Sequence, residues 1–324
     1  MHRTQFVETL NRWGGEKTPF FFMIDFEMKN PMAFHLEEIS SDEILYDFNG
    51  RTNADKKQKN KNGLVQLRKL PASLSEFEEK FLTVFSRLEY GDSYLTNLTM
   101  KTKVETDLSL FQLFFASNAR YRLLYKNKFV VFSPEQFIQI KEGKIFSFPM
   151  KGTIDAAIPN AAQTILNDEK ELAEHVTIVD LIRNDLSAVA SNVIVSRFRY
   201  LEEIKTTGKN LIQVSSEVQG DLSEDYSKQL GDILMRLLPA GSISGAPKEK
   251  TIQIIRQAEG EERGFYTGVA GIFDGQNLDS GVLIRFIENT DGNLVYRSGG
   301  GITTQSILEK EYQEVIDKVY VPVD

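Results

Sequence analysis

Apolar residues recur along this chain with two periods, and the switches between them mark out its elements. Helical spacing runs through Phe77, Phe81, Val84, Phe85 and Leu88, directly after the capping-box pattern Ser73-Leu-Ser-Glu76, so an amphipathic helix is expected there. Short runs rich in aromatic and branched residues follow at 121–125, 129–132, 136–140 and 144–148. Lys126-Asn127 and Glu142-Gly143 punctuate them, which reads as a β-meander. One long helix is expected over about 162–186, with Leu172, Val176, Val179, Ile182 and Leu186 on its buried stripe. Strands at 192–200 and 210–220 come next, then a helix carrying Leu222, Tyr226, Leu230, Ile233 and Leu237. Pro247 suits the first turn of another helix, running through Ile252 and Ile255. Asp274-Gly275 and Asp291-Gly292 turns link strands at about 266–273, 278–288 and 293–298, and a last helix covers about 308–319. Helices separated by antiparallel strands make an α+β chain, and two packed sheets with helices outside fit the number of elements.

Composition narrows the picture. At 324 residues and 41% hydrophobic the chain can bury a large core, and no linker divides it. A single domain over 1–324 is expected, with an N-terminal half at 1–150 and a motif-rich half at 151–324. The lysine-rich patch 53–62 reads as a mobile loop within it. With 38 basic against 46 acidic residues the net charge is −8, which argues against nucleic acid or an anionic membrane as partner. Absence of cysteine excludes disulfides, thiolate metal sites and a cysteine nucleophile in this chain, and fits a reducing compartment. Neither a signal core nor a run near the roughly 18 apolar residues of a membrane span is present, so a soluble cytoplasmic protein is expected.

Several clusters have chemical potential. Glu171 and Glu174, and Glu311 and Glu314, are each three residues apart in helical stretches, which puts both carboxylates of a pair on one face. Taken alone, such pairs are usually solvated helix surface. If the helices face each other, four carboxylates converge, and an all-oxygen site favours Mg²⁺ or Ca²⁺. Gly299-Gly300-Gly301 could form a backbone nest for an anion or be a plain tight loop. Gly241-Ser242 through Gly245-Ala-Pro-Lys248 departs from the phosphate-loop pattern and reads as a strained loop opening a helix, with Lys248 beside it. Arg285, in the apolar run Val282-Leu-Ile-Arg-Phe-Ile287, needs an anionic partner or an exit to water. His175 follows Glu174, but Glu171 stands where a zinc motif needs histidine, so zinc is disfavoured. Lys151 ends a hydrophobic strand before Gly152; it either snorkels to solvent or, buried near a cation, serves as an amine nucleophile.

In order along the chain, these segments resemble the chorismate-utilising enzymes: anthranilate and aminodeoxychorismate synthase component I and the isochorismate and salicylate synthases. The matching stretches are Asp168-Glu-Lys-Glu-Leu-Ala-Glu-His175 running into Ile178-Val-Asp-Leu-Ile-Arg-Asn-Asp185, Pro239 through Lys248, Arg263-Gly-Phe-Tyr-Thr-Gly268, Gly299-Gly-Gly-Ile302 and Glu311-Tyr-Gln-Glu314. Weaker similarity extends through Tyr94-Leu-Thr-Asn-Leu-Thr99. The resemblance implies two orthogonally packed antiparallel sheets with helices on the outer faces. It also implies Mg²⁺ on Glu174 and Glu314, with Glu171 and Glu311 holding its waters. The ring carboxylate of chorismate would lie on the metal, and the enolpyruvyl carboxylate on Gly300, Gly301, Arg285 and Tyr266.

Pro149-Met-Lys-Gly-Thr153 is similar to the Pro-Ile-Lys-Gly-Thr of aminodeoxychorismate synthases, where anthranilate synthases carry alanine at the lysine position. The resemblance implies that Lys151 attacks C2 as the C4 hydroxyl departs, and that ammonia then adds at C4. Leu95 stands where water-using relatives carry an activating lysine, which disfavours isochorismate and salicylate formation. Three positions depart from the pattern. Gln213 replaces a histidine, Leu95 replaces the glutamine of ammonia users, and Ile154-Asp155 lacks an arginine. Without cysteine the chain must take free ammonia or receive it from a separate glutamine amidotransferase subunit, and it is expected to release aminodeoxychorismate for another enzyme of 4-aminobenzoate and folate synthesis. The alternatives are anthranilate synthase component I and a catalytically altered chorismate-binding relative.

Overall fold

The computed structural model describes residues 1–55, 65–204 and 210–323, so most of the lysine-rich patch, 56–62, lies outside the described residues. The run Phe20–Ile24 shows how its layers arise. It has no polar residue, so as a strand it must be covered on both faces. Phe20, Phe22 and Ile24 pack with Phe6, Leu10 and Trp13 of helix α1 (Arg3–Gly15), while Phe21 and Met23 pack with Tyr46, Phe48, Tyr121 and Leu123 of a second sheet. Among the described residues the strands form two antiparallel sheets of nine strands each. The first runs, in spatial order, Met150–Asp155, Leu211–Asp221, Lys144–Ser147, Gln136–Lys141, Leu278–Val282, Val269–Phe273, Phe20–Ile24 and Met32–His35, with Ser191–Ile204 pairing Leu211–Asp221. The second has Leu95–Glu105, Asn293–Ile302, Phe286–Thr290, Phe129–Ser133, Tyr121–Tyr125 and Ile44–Phe48 as its main order.

Helices close the outer faces. Besides α1 they are α2 (Leu74–Tyr90), α3 (Leu110–Ala116), α4 (Ala161–Asn167), α5 (Glu169–Ser187), α6 (Leu230–Leu237), α7 (Lys248–Glu259) and α8 (Leu308–Asp317). α1, α5 and α6 cover the first sheet. On the second, Phe77, Phe81, Val84 and Leu88 of α2 meet Leu98 and Met100 of the sheet, Ile254 of α7 and Val315 of α8. The expected layering of helix, sheet, sheet and helix is what the chain adopts. No helix among the described residues is long and apolar enough to cross a membrane.

Four expectations need correction. The helix expected over 162–186 is two helices, broken at Asp168, whose extended backbone ends α4 and whose side chain accepts from the Glu171 N–H to cap α5. The helix expected from Leu222 begins as a 3-10 turn, Tyr226–Gln229, and becomes α-helical only at Leu230. Pro247 is the N-cap of α7, one residue ahead of the first turn. The meander and the strand expected at 278–288 both pass between sheets. Phe129–Ser133 belongs to the second sheet and Gln136–Lys141 to the first; Leu278–Val282 belongs to the first and Phe286–Thr290 to the second. A residue leaving one buried sheet for another stays buried, so hydrophobic periodicity carries no mark of the passage. Pattern reading also omitted α1, α3 and the strands Phe20–Ile24 and Leu95–Glu105.

Arg263, 1% exposed, ties the layers together. Its guanidinium donates to both carboxylate oxygens of Glu259 (2.6 and 2.9 Å), to Ile243 O (2.9 Å) and to Asn97 O (2.8 Å), while Glu259 Oε1 accepts from Thr99 N–H (3.0 Å). Removing one member of such a buried pair strands the other charge. Arg263→Ala is therefore expected to cost about 3–5 kcal/mol in urea unfolding; a loss under about 1 kcal/mol would mean that Glu259 finds other compensation.

Candidate active site

The two passages between sheets run side by side. Phe132 N–H donates to Arg285 O (3.0 Å), and Val282 N–H donates to Glu135 O (3.1 Å). Pro134 has no N–H to continue a ladder, and Arg285 turns the chain with φ +53°. Arg285 thus lies between strands, not inside one. Both Glu135 and Arg285 line a cavity of about 630 Å³. Lys151, Thr153, Glu171, Glu174, Gln213, Ser242, Tyr266, Gly299, Gly300, Gly301 and Glu314 line the same cavity.

Lys151 is placed by a bulge. Met150–Asp155 pairs with Leu211–Asp221, with a register shift between Met150 and Thr153, and Gly152 has φ +83°. A Cβ on Gly152 would also come 3.0 Å from Glu171 Oε2, so both backbone and clearance require glycine. The Lys151 ammonium sits 2.6 Å from Glu174 Oε2. Burial works against its charge, yet Glu174, helped by Glu171 and Glu314, raises its pKa above the ordinary lysine value. It is neither snorkelling nor, beside these carboxylates alone, a free amine.

The carboxylate pairs come from helices on different layers, α5 on the first sheet and α8 on the second. The α8 pair meets ahead of Gly300, where a Cβ would lie 3.5 Å from Glu314 Oε1, 3.6 Å from Glu311 Oε2 and 3.8 Å from Lys318 Nζ, while Lys151 is the charge that Glu171 and Glu174 of α5 share with Glu314. Lys318 donates to Glu314 Oε1 (2.5 Å) and to Gly299 O (2.9 Å). Burial lowers the Lys318 pKa despite Glu314. Among the described residues no three His, Asp or Glu side chains are gathered as a metal site, so the expected convergence is partial. Glu311, 6% exposed, is not among the residues that line the cavity. The donors are nonetheless all carboxylate oxygens, the set a hard divalent ion takes.

Other positions differ from expectation. The glycine triplet is no nest: it continues the strand Asn293–Ile302, paired to Thr99, Leu98 and Asn97, and none of the three has positive φ. Gly300 gives clearance to the side chains of α8, while Gly299 and Gly301 abut Thr99 and Leu95 of the neighbouring strand. Lys248 stands outside the cavity, 2.9 Å from Asp185 Oδ2 and donating to Leu237 O (3.0 Å), so it anchors the start of α7. Ser242 does line the cavity and donates to Glu135. Gly245, at φ +135°, abuts Leu95 so closely that a Cβ would lie 1.9 Å from its carbonyl oxygen.

Arg285 is half-buried, and its guanidinium lies 5.2 Å from the Tyr320 ring centre; among the described residues its Nε has no hydrogen-bond partner. A half-buried cation facing an aromatic ring and a cavity suits an incoming carboxylate. Tyr266, 3% exposed, has its hydroxyl pKa pushed up to about 12 by burial, so it stays a donor. His175 is neutral, with its pKa lowered to about 4 by burial and by Arg199, and Nε2 lies 2.6 Å from Ser216 Oγ. It is a core histidine. Sequence reasoning missed Glu135, Asn97 and Lys318. Burial raises the Glu135 pKa, against Ser242, Arg285 and Lys318. Asn97 Oδ1 is buried without a partner among the described residues. Only Lys318 left a signal, its spacing of four from Glu314 on α8.

A two-sheet fold with a cationic and carboxylate-lined cavity where the chain changes sheets defines an enzyme for small anionic substrates. The chain belongs to the chorismate binding enzyme family, whose sequence pattern matches residues 5–324. It is 48% identical over 318 residues to an uncharacterized PabA-like protein of Pasteurella multocida, covering 98% of each. It is 33% identical over 260 residues to aminodeoxychorismate synthase component 1 of Salmonella typhimurium, covering 75% of this chain and 56% of that one. The crystal structure of anthranilate synthase component I from Streptococcus pneumoniae superposes with a TM-score of 0.67 at 27% identity, over 79% of this chain and 59% of the other.

Because Lys248, itself not a lining residue, neutralises Asp185 at the cavity wall, Lys248→Met is expected to lower stability by about 2 kcal/mol. Chorismate affinity, measured by titration calorimetry, should be unchanged; a weakened affinity in a fully folded variant would return Lys248 to the binding site.

Proposed function

We propose that this enzyme aminates chorismate at C4, giving 4-amino-4-deoxychorismate, with ammonia from a separate glutamine amidotransferase subunit. The observation that carries this reading is Lys151, which a bulge turns into the cavity beside Glu174. Its amine forms a bond to C2 of the ring as both ring double bonds shift and the C4 hydroxyl leaves. Ammonia then bonds to C4, both double bonds shift back, and the C2–N bond breaks with its electron pair returning to Lys151. Arg285 and the Tyr266 hydroxyl are positioned to take a carboxylate of the substrate. Glu135, whose pKa burial raises, would be the acid that protonates the departing hydroxyl.

Glu174 and Glu314 would hold Mg²⁺, with Glu171 and Glu311 on its waters. Such an ion, when bound, supplies positive charge for the ring carboxylate and offsets the negative charge that holds the Lys151 proton. Similarity to aminodeoxychorismate synthase component 1 supports this reading. So does the chain's lack of cysteine, which leaves it no thiol to liberate ammonia from glutamine.

Incubation with chorismate, MgCl₂ and an ammonium salt, followed by aminodeoxychorismate lyase, should yield 4-aminobenzoate. EDTA should abolish the reaction and excess Mg²⁺ restore it. Anthranilate as the product would overturn the proposal. In the same assay Lys151→Ala should stop turnover with chorismate still bound, and unchanged turnover would remove Lys151 from the chemistry. Glu135→Gln is expected to lower kcat by about 10²–10⁴-fold. The wild-type rate should fall as pH rises through the raised Glu135 pKa; a profile with the same basic limb in Glu135→Gln would exclude it as the acid.

A further inference from the structure

Gln213 is not simply a lost histidine. Strand register places Glu202 and Thr153 on either side of it, and Ser215, two residues on, shares its face. Ser215 Oγ donates to Glu202 Oε2 at 2.5 Å. A serine hydroxyl has one proton, so toward Gln213 its oxygen can only accept. The Gln213 amide is oriented accordingly: Nε2 donates to Ser215 Oγ (3.3 Å) and to Met150 Sδ (2.8 Å). Both partners are acceptors, which settles the orientation of the amide from the network itself. Its NH₂ group is thereby committed to the strand, and no described residue donates to Oε1. Gln213 therefore offers the cavity an acceptor and no donor.

That restriction selects what it can serve. A departing hydroxyl needs a proton, and an acceptor cannot help it leave. Incoming ammonia carries N–H groups and becomes positively charged as its lone pair forms the new bond to carbon, so a carbonyl dipole stabilises it increasingly along the reaction. Leu95, across the cavity, has no polar atom to offer. We infer that Gln213 Oε1 positions the ammonia nucleophile, held in orientation by the Glu202–Ser215 hydrogen bond. The inference rests on the amination reading above. Ser215 and Glu202 are positioning residues that act through Gln213.

The test is steady-state kinetics with ammonium and chorismate varied separately, using purified full-length enzyme with Mg²⁺. Gln213→Leu is expected to raise the KM for ammonium at least about tenfold, with the chorismate KM within about twofold of wild type. Ser215→Ala frees the amide to rotate and should raise the ammonium KM about threefold, again selectively. Should Gln213→Leu fail to fold, Ser215→Ala carries the test. An unchanged ammonium KM in the folded variants overturns the inference, as does a parallel rise in both KM values. If the wild-type enzyme forms no aminated product, the amination reading fails and this inference with it. If it aminates normally and the variants do too, only the inference falls.

Discussion

Two backbone hydrogen bonds, Phe132 N–H to Arg285 O and Val282 N–H to Glu135 O, hold together the place where both passages change sheets. The rest of the site depends on that junction. Neighbouring strands that leave one sheet together must turn together, or each would leave buried amides unpaired. Because they do, Glu135 and Arg285 stand beside each other at the cavity without belonging to either ladder. Their carbonyls are satisfied across the junction, which leaves the side chains available for chemistry. The glycine-containing strand and α8 approach from the second sheet, while α5 and the Lys151 bulge approach from the first.

Charge in this cavity does not follow the charge of the protein. A net −8 would repel a dianion, yet Arg285, Lys318 and Lys151 are gathered at the cavity. Burial places them where their field is least screened, so local arrangement outweighs net charge. The cations are not equivalent. Arg285 cannot shed its proton and lacks a partner at Nε, which suits permanent anion binding. Lys151 and Lys318 both sit against carboxylates that raise their pKa values, yet the net shift is upward for Lys151 and, because burial outweighs Glu314, downward for Lys318. The difference lies in burial set against carboxylate number: Lys151 feels Glu174, Glu171 and Glu314, whereas Lys318 has Glu314 opposed by Arg285 and Lys151.

What the sequence made legible follows from which forces are local. The capping box at Ser73 and Glu76 was readable because both partners lie within four residues, and α2 starts there with both hydrogen bonds formed. The α5 and α8 carboxylate pairs were readable from helical spacing, and the Lys151 position from its glycine. Asp168 was not, because an N-cap inside an otherwise helical pattern looks like one more surface residue. The passages between sheets were invisible for a different reason: burial continues across them, and periodicity records burial, not which sheet supplies it. The ion pair of Lys248 was not legible because a lysine beside a glycine-rich loop carries no sign of whether its partner is Asp185 or a ligand.

Glu135 marks the limit of local reading most sharply. In the sequence it is a carboxylate after a proline, indistinguishable from a loop residue. Its character comes from three separate parts of the chain: Ser242 before α7, Arg285 at the other passage and Lys318 after α8. Each favours the charged form, yet loss of water outweighs them and the pKa stays raised. The upward shift is thus created by assembly alone. The same holds for Gln213, whose amide is turned by Glu202 on a neighbouring strand, through a serine. Functional groups of this kind emerge from pairing register, so they become readable only when strand neighbours are known.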